Sequence, residues 1–134
     1  MPEMQTEIER VRSGSCSCGA VRFRLRGEPM LVGLCHCTSC RKETGSVFMP
    51  YAVWPWASFE TEGETRCWDG RSFCPTCGSR LFSLREEQGE VEVKLGCLDD
   101  APTDLVPGQE IWIKRREHWL PALEGTSQHV EDPR

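Results

Sequence analysis

The chain has 134 residues, 28% of them charged, and a formal net charge of -5, a length that suits one domain with a single core. Its acidic balance disfavours a general nucleic-acid binder, which needs clustered Lys and Arg, and no apolar run approaches the ~20 residues of a membrane span. Nine cysteines, with no secretory apolar segment in the polar stretch 1–12, point to a cytoplasmic metal binder and away from a disulfide framework.

Residues 1–12 are expected to be a lead-in or an edge strand, 13–123 a single domain and 124–134 a polar tail. Residues 13–15 run into Cys16-Ser17-Cys18-Gly19, and residues 20–26 then alternate strictly. Val21, Phe23 and Leu25 should face a core, while Arg22, Arg24 and Arg26 form either a solvated strand face or an anion-binding strip. A turn at 27–29 precedes a short apolar strand over 30–34 that ends in Cys35. Residues 38–45 suit one or two helical turns stopped by Gly45, whose first amides favour nearby thiolates.

Residues 46–54 read as a strand, with Pro50 arguing for an edge or a bulge. Residues 55–59 break it, and the charged, glycine-punctuated stretch 60–69 reads as a hairpin or connecting loop. Residues 79–84, a turn at 86–89 and the alternating stretch 90–95 predict a hairpin. A long loop follows to Gly108, then a final strand over 110–114 and an aromatic end at His118-Trp119-Leu120. Many short alternating segments and little helix make the chain mainly β.

Seven cysteines fall into three tight groups: Cys16/Cys18, Cys35/Cys37/Cys40 and Cys74/Cys77. Cys74-Pro75-Thr76-Cys77-Gly78 reads as a knuckle whose amides donate to thiolates, with the glycine free to take a positive φ. A redox C-x-x-C is the rival reading, but no βαβ pattern surrounds it. A closed structural zinc site needs four ligands, so Cys16 and Cys18 are expected to join Cys74 and Cys77. Cys35, Cys37 and Cys40 then remain as a three-sulfur site with a fourth position open, the arrangement of catalytic zinc. Three thiolates overcompensate a divalent ion, leaving a weak Lewis acid suited to holding a fourth, nucleophilic sulfur. His36 alternates away from its cysteine neighbours and is expected to hydrogen-bond near the loop without binding the ion. Cys67 and Cys97 are read as small buried or half-buried residues.

Gly14-Ser15-Cys16-Ser17-Cys18-Gly19-Ala20-Val21-Arg22-Phe23, Cys35-His36-Cys37-x-x-Cys40-Arg41-Lys42, Phe73-Cys74-x-x-Cys77-Gly78-Ser79-x-Leu81 and Gly96-x-Leu98-Asp99-Asp100 together resemble the glutathione-dependent formaldehyde-activating enzyme family. That family includes the centromere-protein-V-like proteins. The resemblance implies a Mss4-like (β-tent) fold of stacked antiparallel β-sheets with zinc-binding loops and little helix. It also implies two zinc ions per chain: a structural one on Cys16, Cys18, Cys74 and Cys77, and a catalytic one on Cys35, Cys37 and Cys40. The implied activity is that of a carbon–sulfur lyase joining glutathione and formaldehyde to S-hydroxymethylglutathione. Cys97 stands where the family usually has a hydroxyl residue, in a loop the resemblance places near the reactive zinc, and is expected not to ligate.

Two functions follow. One is a zinc-dependent enzyme acting on a thiol adduct, with glutathione or another small-molecule thiol as partner and no nucleic acid or membrane. The alternative is a non-enzymatic zinc-stabilised binding module, which needs one closed site but not an open three-ligand one. Arg41 and Lys42 are candidates to hold a substrate carboxylate, against a reading as two solvated charges.

Overall fold

The computed structural model describes residues 9–133, and those residues form a mainly β molecule of eleven strands and one α-helix. In chain order these are β1 (Val11–Ser15), β2 (Arg22–Arg26), β3 (Leu31–Cys35), helix α1 (Thr38–Thr44), β4 (Met49–Pro55) and β5 (Phe59–Glu62). Then come β6 (Arg66–Trp68), β7 (Arg71–Phe73), β8 (Arg80–Arg85), β9 (Glu90–Lys94), β10 (Gln109–Ile111) and β11 (Ser127–Gln128). Residues 1–8, the body of the expected lead-in, lie outside the described residues.

Two sheets are built from these strands. One has three strands in the order β1-β2-β5, the other eight in the order β11-β10-β3-β4-β9-β8-β7-β6. The large sheet is antiparallel from β3 through to β6, but β10 runs parallel to β3, and β11 parallel to β10. The expected antiparallel stacking holds for the small sheet and from β3 to β6, and β10 and β11 extend it with parallel pairing at one edge. Parallel pairing there needs a long return connection, and the loop from β9 to β10 supplies it. That return also makes β11, drawn from the expected polar tail, the last strand of the sheet.

Alternation decides what each face does. In β2, Phe23 and Leu25 are buried and the three arginines exposed, the solvated-face reading. Arg24 and Arg26 share Glu60 of β5 and Arg22 donates to the Gly19 carbonyl, so the row is engaged along an exposed strand face. Val21, Phe23 and Leu25 pack with Ala52, Trp54, Phe82, Val91 and Val93 from one face of the large sheet. Phe23, Phe59 and Phe82 make tilted or edge contacts at centroid separations of 4.9–6.1 Å, which favours aromatic packing beyond the area buried.

Several expectations are corrected by long-range partners. Pro50 does not mark an edge: β4 is central, between β3 and β9, and Pro50 lies before the β9 ladder begins at Tyr51↔Lys94. A missing N–H at a strand's start costs no ladder bond. The stretch 60–69 is not loop throughout, since it completes β5 and forms β6. The strand expected over 110–114 stops at Ile111, where Trp112 takes a left-handed φ of 59°. Trp119 is 69% exposed and packs no aromatic end.

Candidate metal centres

Four sulfurs come together where two hairpin-like loops meet. Cys16 follows β1, Cys18 precedes β2, and Cys74 and Cys77 lie between β7 and β8. The sulfurs of these four residues lie within 4.8 Å of one another, with Cys16–Cys18 at 3.6 Å and Cys18–Cys74 at 3.7 Å. All nine cysteines are free thiols. Cys16 Sγ accepts from the Val21 amide at 3.2 Å, and Cys74 Sγ from the Thr76 and Cys77 amides at 3.4 and 3.5 Å. Gly78 turns the knuckle with φ +81°, its amide donating to the Cys74 carbonyl, a conformation costly for any residue with a Cβ. The Ser17 amide donates to Ser79 Oγ and locks the two loops together.

The other three sulfurs sit on six consecutive residues and also lie within 4.8 Å of one another. Cys35 ends β3 and is 4% exposed. Cys37 is the N-cap of α1, extended at φ −65° and ψ 157°, and its sulfur accepts from the Cys40 amide at 3.3 Å. Cys40 stands in the first turn, and Gly45 stops the helix in a left-handed conformation.

Both sulfur sets suit a soft cation, and the physical reason is their crowding. In the three-sulfur set, hydrogen bonds from Cys35 and Cys40, with the Cys40 and Ser39 amides adding, pull Cys37 down to about 2. Cys37 in turn pushes Cys35 up to about 12, and Cys35 and Cys37 push Cys40 higher still. In the other set, the Ser79 hydroxyl and amide pull Cys77 down to about 5. Cys18 rises to about 11 because the neighbouring thiol of Cys16, with burial, outweighs the Ala20 amide. Without a cation such groups can shed only some of their protons. A metal ion removes the penalty, and thiolate is the form it binds.

No residue of α1 is fully buried, and of the helix Cys40 alone packs against the cluster around Cys35, so apolar packing alone does not hold it. Ion pairs add to it. Glu43 Oε2 lies 2.5 Å from Arg80 Nε and 3.4 Å from Arg71 Nε, and Glu43 Oε1 3.8 Å from Lys94 Nζ. Lys94 continues to Glu92 at 2.5 Å, and Glu92 to Arg85 at 2.5 Å. Burial opposes ionisation of Glu92, but Lys94 and Arg85 hold its pKa below the usual carboxylate range. Arg41 is not the free carboxylate binder of the sequence reading, since it pairs with Glu117 and donates to the Arg115 carbonyl at 2.8 Å. Lys42 is exposed and lines a hollow with Ser39, Trp68, Asp69 and Arg71.

His36 is fully buried, with Nε2 2.7 Å from Glu110 Oε1, and lies outside both sulfur sets. Glu110, 1% exposed, also accepts from the Leu123 amide at 2.6 Å and Gln128 Nε2 at 3.2 Å, and pairs with Arg116 at 3.3 Å. It ties the loop of the three-sulfur site to the C-terminal segment. Sequence reasoning missed it because a charged residue opening an amphipathic strand reads as solvent-facing. Cys97 donates to the Arg80 carbonyl at 3.2 Å and packs against the core cluster containing Cys16 and Cys74, and with Gly96 it lines a hollow shared with Glu43 and Thr44 of α1 and with Met49, the register partner of Cys35. Burial pushes its thiol up to about 11. Cys67 is exposed on β6, contrary to the expected burial.

No curated protein matches the chain. A crystal structure of a Rhodobacter sphaeroides protein superposes with a TM-score of 0.53 at 20% identity, covering 71% of this chain and 97% of that one; at that identity the likeness speaks to the fold. The model of the glutathione-dependent formaldehyde-activating enzyme family matches residues 11–115. That span takes in both sulfur sets and the sheets that carry them, so the chain belongs to the glutathione-dependent formaldehyde-activating enzyme family.

Proposed function

We propose that the three-cysteine site is the reactive centre of a carbon–sulfur lyase-type enzyme that joins glutathione, or a closely related small thiol, to formaldehyde. Cys35, Cys37 and Cys40 hold one zinc ion in this reading, and Cys16, Cys18, Cys74 and Cys77 hold a second, structural one. The carrying observation is that three sulfurs converge while, among the described residues, no fourth cysteine joins them, Cys67 and Cys97 belonging to neither set. A pure scaffold has no use for a site one ligand short. Zinc held by three thiolates would be a weak Lewis acid that takes a fourth sulfur as a thiolate and leaves it nucleophilic.

The chain's own residues do the rest. The Cys40 amide steadies the Cys37 sulfur, and the Glu43 and Arg41 ion pairs fix the helix carrying Cys37 and Cys40. The apolar lining of Met49, Tyr51 and Ile111 around Cys35 keeps water back, which favours a carbonyl over its hydrate. Carbon–sulfur bond formation moves the carbonyl π pair onto oxygen, which takes the proton the thiol gave up. The atoms balance as thiol plus formaldehyde giving the hydroxymethyl thioether. Lys42, with no ion pair among the described residues, offers a cation for a substrate carboxylate. Nine reduced cysteines fit the cytoplasm, and no described helix is long and apolar enough to cross a membrane.

The test is elemental analysis of native protein combined with exchange NMR of glutathione and 13C-formaldehyde. Two zinc equivalents and exchange faster than the uncatalysed reaction are expected. Fully loaded protein that leaves the exchange rate unchanged overturns the enzymatic reading.

A further inference from the structure

The face of the large sheet opposite the core carries the chemistry. Register places Cys35, Met49, Tyr51, Ile111 and Gln109 on that face with Glu92 and Lys94. Between these strands and the C-terminal segment lies a cavity of about 180 Å3, lined by Leu31, Tyr51, Arg85, Gln109, Ile111 and Asp132. Its volume equals roughly six waters at ~30 Å3 each, or one short carboxylate-ended segment. Ile111 on its wall is the register partner of Cys35.

Its polar groups are a matched set. Gln109 Nε2 donates to Tyr51 Oη at 3.0 Å, which aligns the phenol. Among the described residues the Tyr51 proton has no acceptor of its own, although the residue is 3% exposed. The ring reaches this position because β3 has Gly33 there: a Cβ would stand 2.7 Å from Tyr51 Oη and 3.1 Å from Gln109 Cγ. Arg85 supplies a guanidinium whose planar fork recognises carboxylates.

Reach fits as well. Gly33 and Cys35 are two residues apart on β3, about 7 Å at the rise of a strand. One or two residues of extended peptide span a similar distance at ~3.6 Å each. A thiol at the three-cysteine site can therefore place a carboxylate one residue away in this cavity.

We propose that the Arg85–Tyr51–Gln109 cavity is a carboxylate subsite for the thiol substrate, and that Asp132 is the side chain a bound carboxylate must displace or crowd. The inference rests on the thiol-substrate reading of the three-cysteine site. Asp132 already brings a carboxylate to the cavity wall, and two anions in one small cavity repel. The chain leading to Asp132 is held by β11, by backbone bonds of His129 to Glu110 and Ile113, and by the Lys114–Glu131 pair.

The test is calorimetric titration of the zinc-loaded full chain with N-mercaptoacetylglycine, whose carboxylate lies one residue from its thiol, and with its neutral amide. Wild type should prefer the acid by about tenfold or more, the scale of a charge-assisted contact. Arg85→Gln should abolish that preference while leaving amide affinity unchanged. Asp132→Asn should raise acid affinity several-fold and leave the amide alone. Because Arg85 also holds Glu92, Arg85→Gln could fail to fold; Asp132→Asn, a change at the cavity rim, then decides. Equal affinity of wild type for acid and amide overturns the subsite, as does an Asp132→Asn variant no tighter for the acid than wild type. A carboxylate preference without formaldehyde turnover removes the proposed reaction and leaves the subsite standing. Turnover without the preference does the reverse.

Discussion

Glu110→Gln isolates one buried carboxylate on which the C-terminal segment and the His36 loop both depend. Burial alone would raise its pKa, but the Leu123 amide, His36, Gln128 and Arg116 outweigh it and hold the group at about 2, against an ordinary 4.5. A folded pKa below the unfolded one means that the stabilisation is full above the unfolded value and is lost as pH falls through the folded one. At 1.36 kcal/mol per pKa unit, ionised Glu110 contributes about 3 kcal/mol at pH 7. By pH 3 linkage reduces that to about half. Gln keeps the shape and one acceptor but turns an N–H toward donors, so the variant should lose a similar amount, lowering Tm by about 10 °C for a chain of this size. Urea unfolding of both proteins at pH 7, 5, 4 and 3 measures the difference, in which effects of metal release shared by the two cancel. A gap that stays constant over that range, or a variant as stable as wild type at pH 7, would refute the linkage argument.

The two sulfur sets should respond differently to loss of a ligand. Cys74→Ser should collapse thermal stability, since a structural zinc supplies on the order of 10 kcal/mol, whereas Cys37→Ser should stay folded, lose one metal equivalent and lose activity; equal drops in Tm would overturn the assignment. Mild chelation should remove one equivalent of metal first with the far-ultraviolet circular dichroism unchanged, and simultaneous loss of metal and fold would contradict an open, weaker site. Cys97→Ala should keep both metal equivalents, because its sulfur contacts the Arg80 carbonyl and belongs to neither set; loss of one equivalent would make it a ligand. Gly33→Ala should cost on the order of 1–3 kcal/mol, the usual cost of overpacking, with Tyr51 fluorescence or its crystal position reporting the displaced ring.

What the sequence made legible was whatever depends on near neighbours. The period-two pattern of Val21, Phe23 and Leu25 needs no distant partner, and all three are fully or almost fully buried. The spacing of the cysteines fixed which sulfurs can share an ion, and the structure brings together the same four and the same three. Gly45 stops the helix as expected, in a left-handed conformation. Buried charge was not legible. In β9, Glu92 and Lys94 alternate with Val91 and Val93 as though facing water, yet they are 6% and 5% exposed. Their burial depends on Arg85 seven positions away and on Glu43 from another element, partners that no local window contains. Glu110 was hidden for the same reason, its carboxylate meeting His36 74 positions earlier in the chain.

Buried charge also explains how one sheet serves two purposes. An apolar face needs only area, and the face toward β1, β2 and β5 fills with Trp54, Val91 and Val93. The opposite face must present thiols and cations without exposing them fully, so its groups need fixed opposite charges. Glu43, Arg80, Lys94, Glu92 and Arg85 form such a chain, and it runs from the helix that carries Cys37 and Cys40 to the wall of the Tyr51 cavity. Arg80 begins β8, two residues after the turn glycine of the Cys74/Cys77 knuckle. The knuckle clamps strands that meet across 56 positions of sequence, and through Arg80 and Glu43 it also fixes where α1 sits. Because α1 has no buried residue of its own, weakening the Arg80–Glu43 pair should disturb the three-cysteine site before it disturbs the core. Through Arg80 and Glu43 the position of the four-sulfur loop is thus coupled to that of the three-sulfur site.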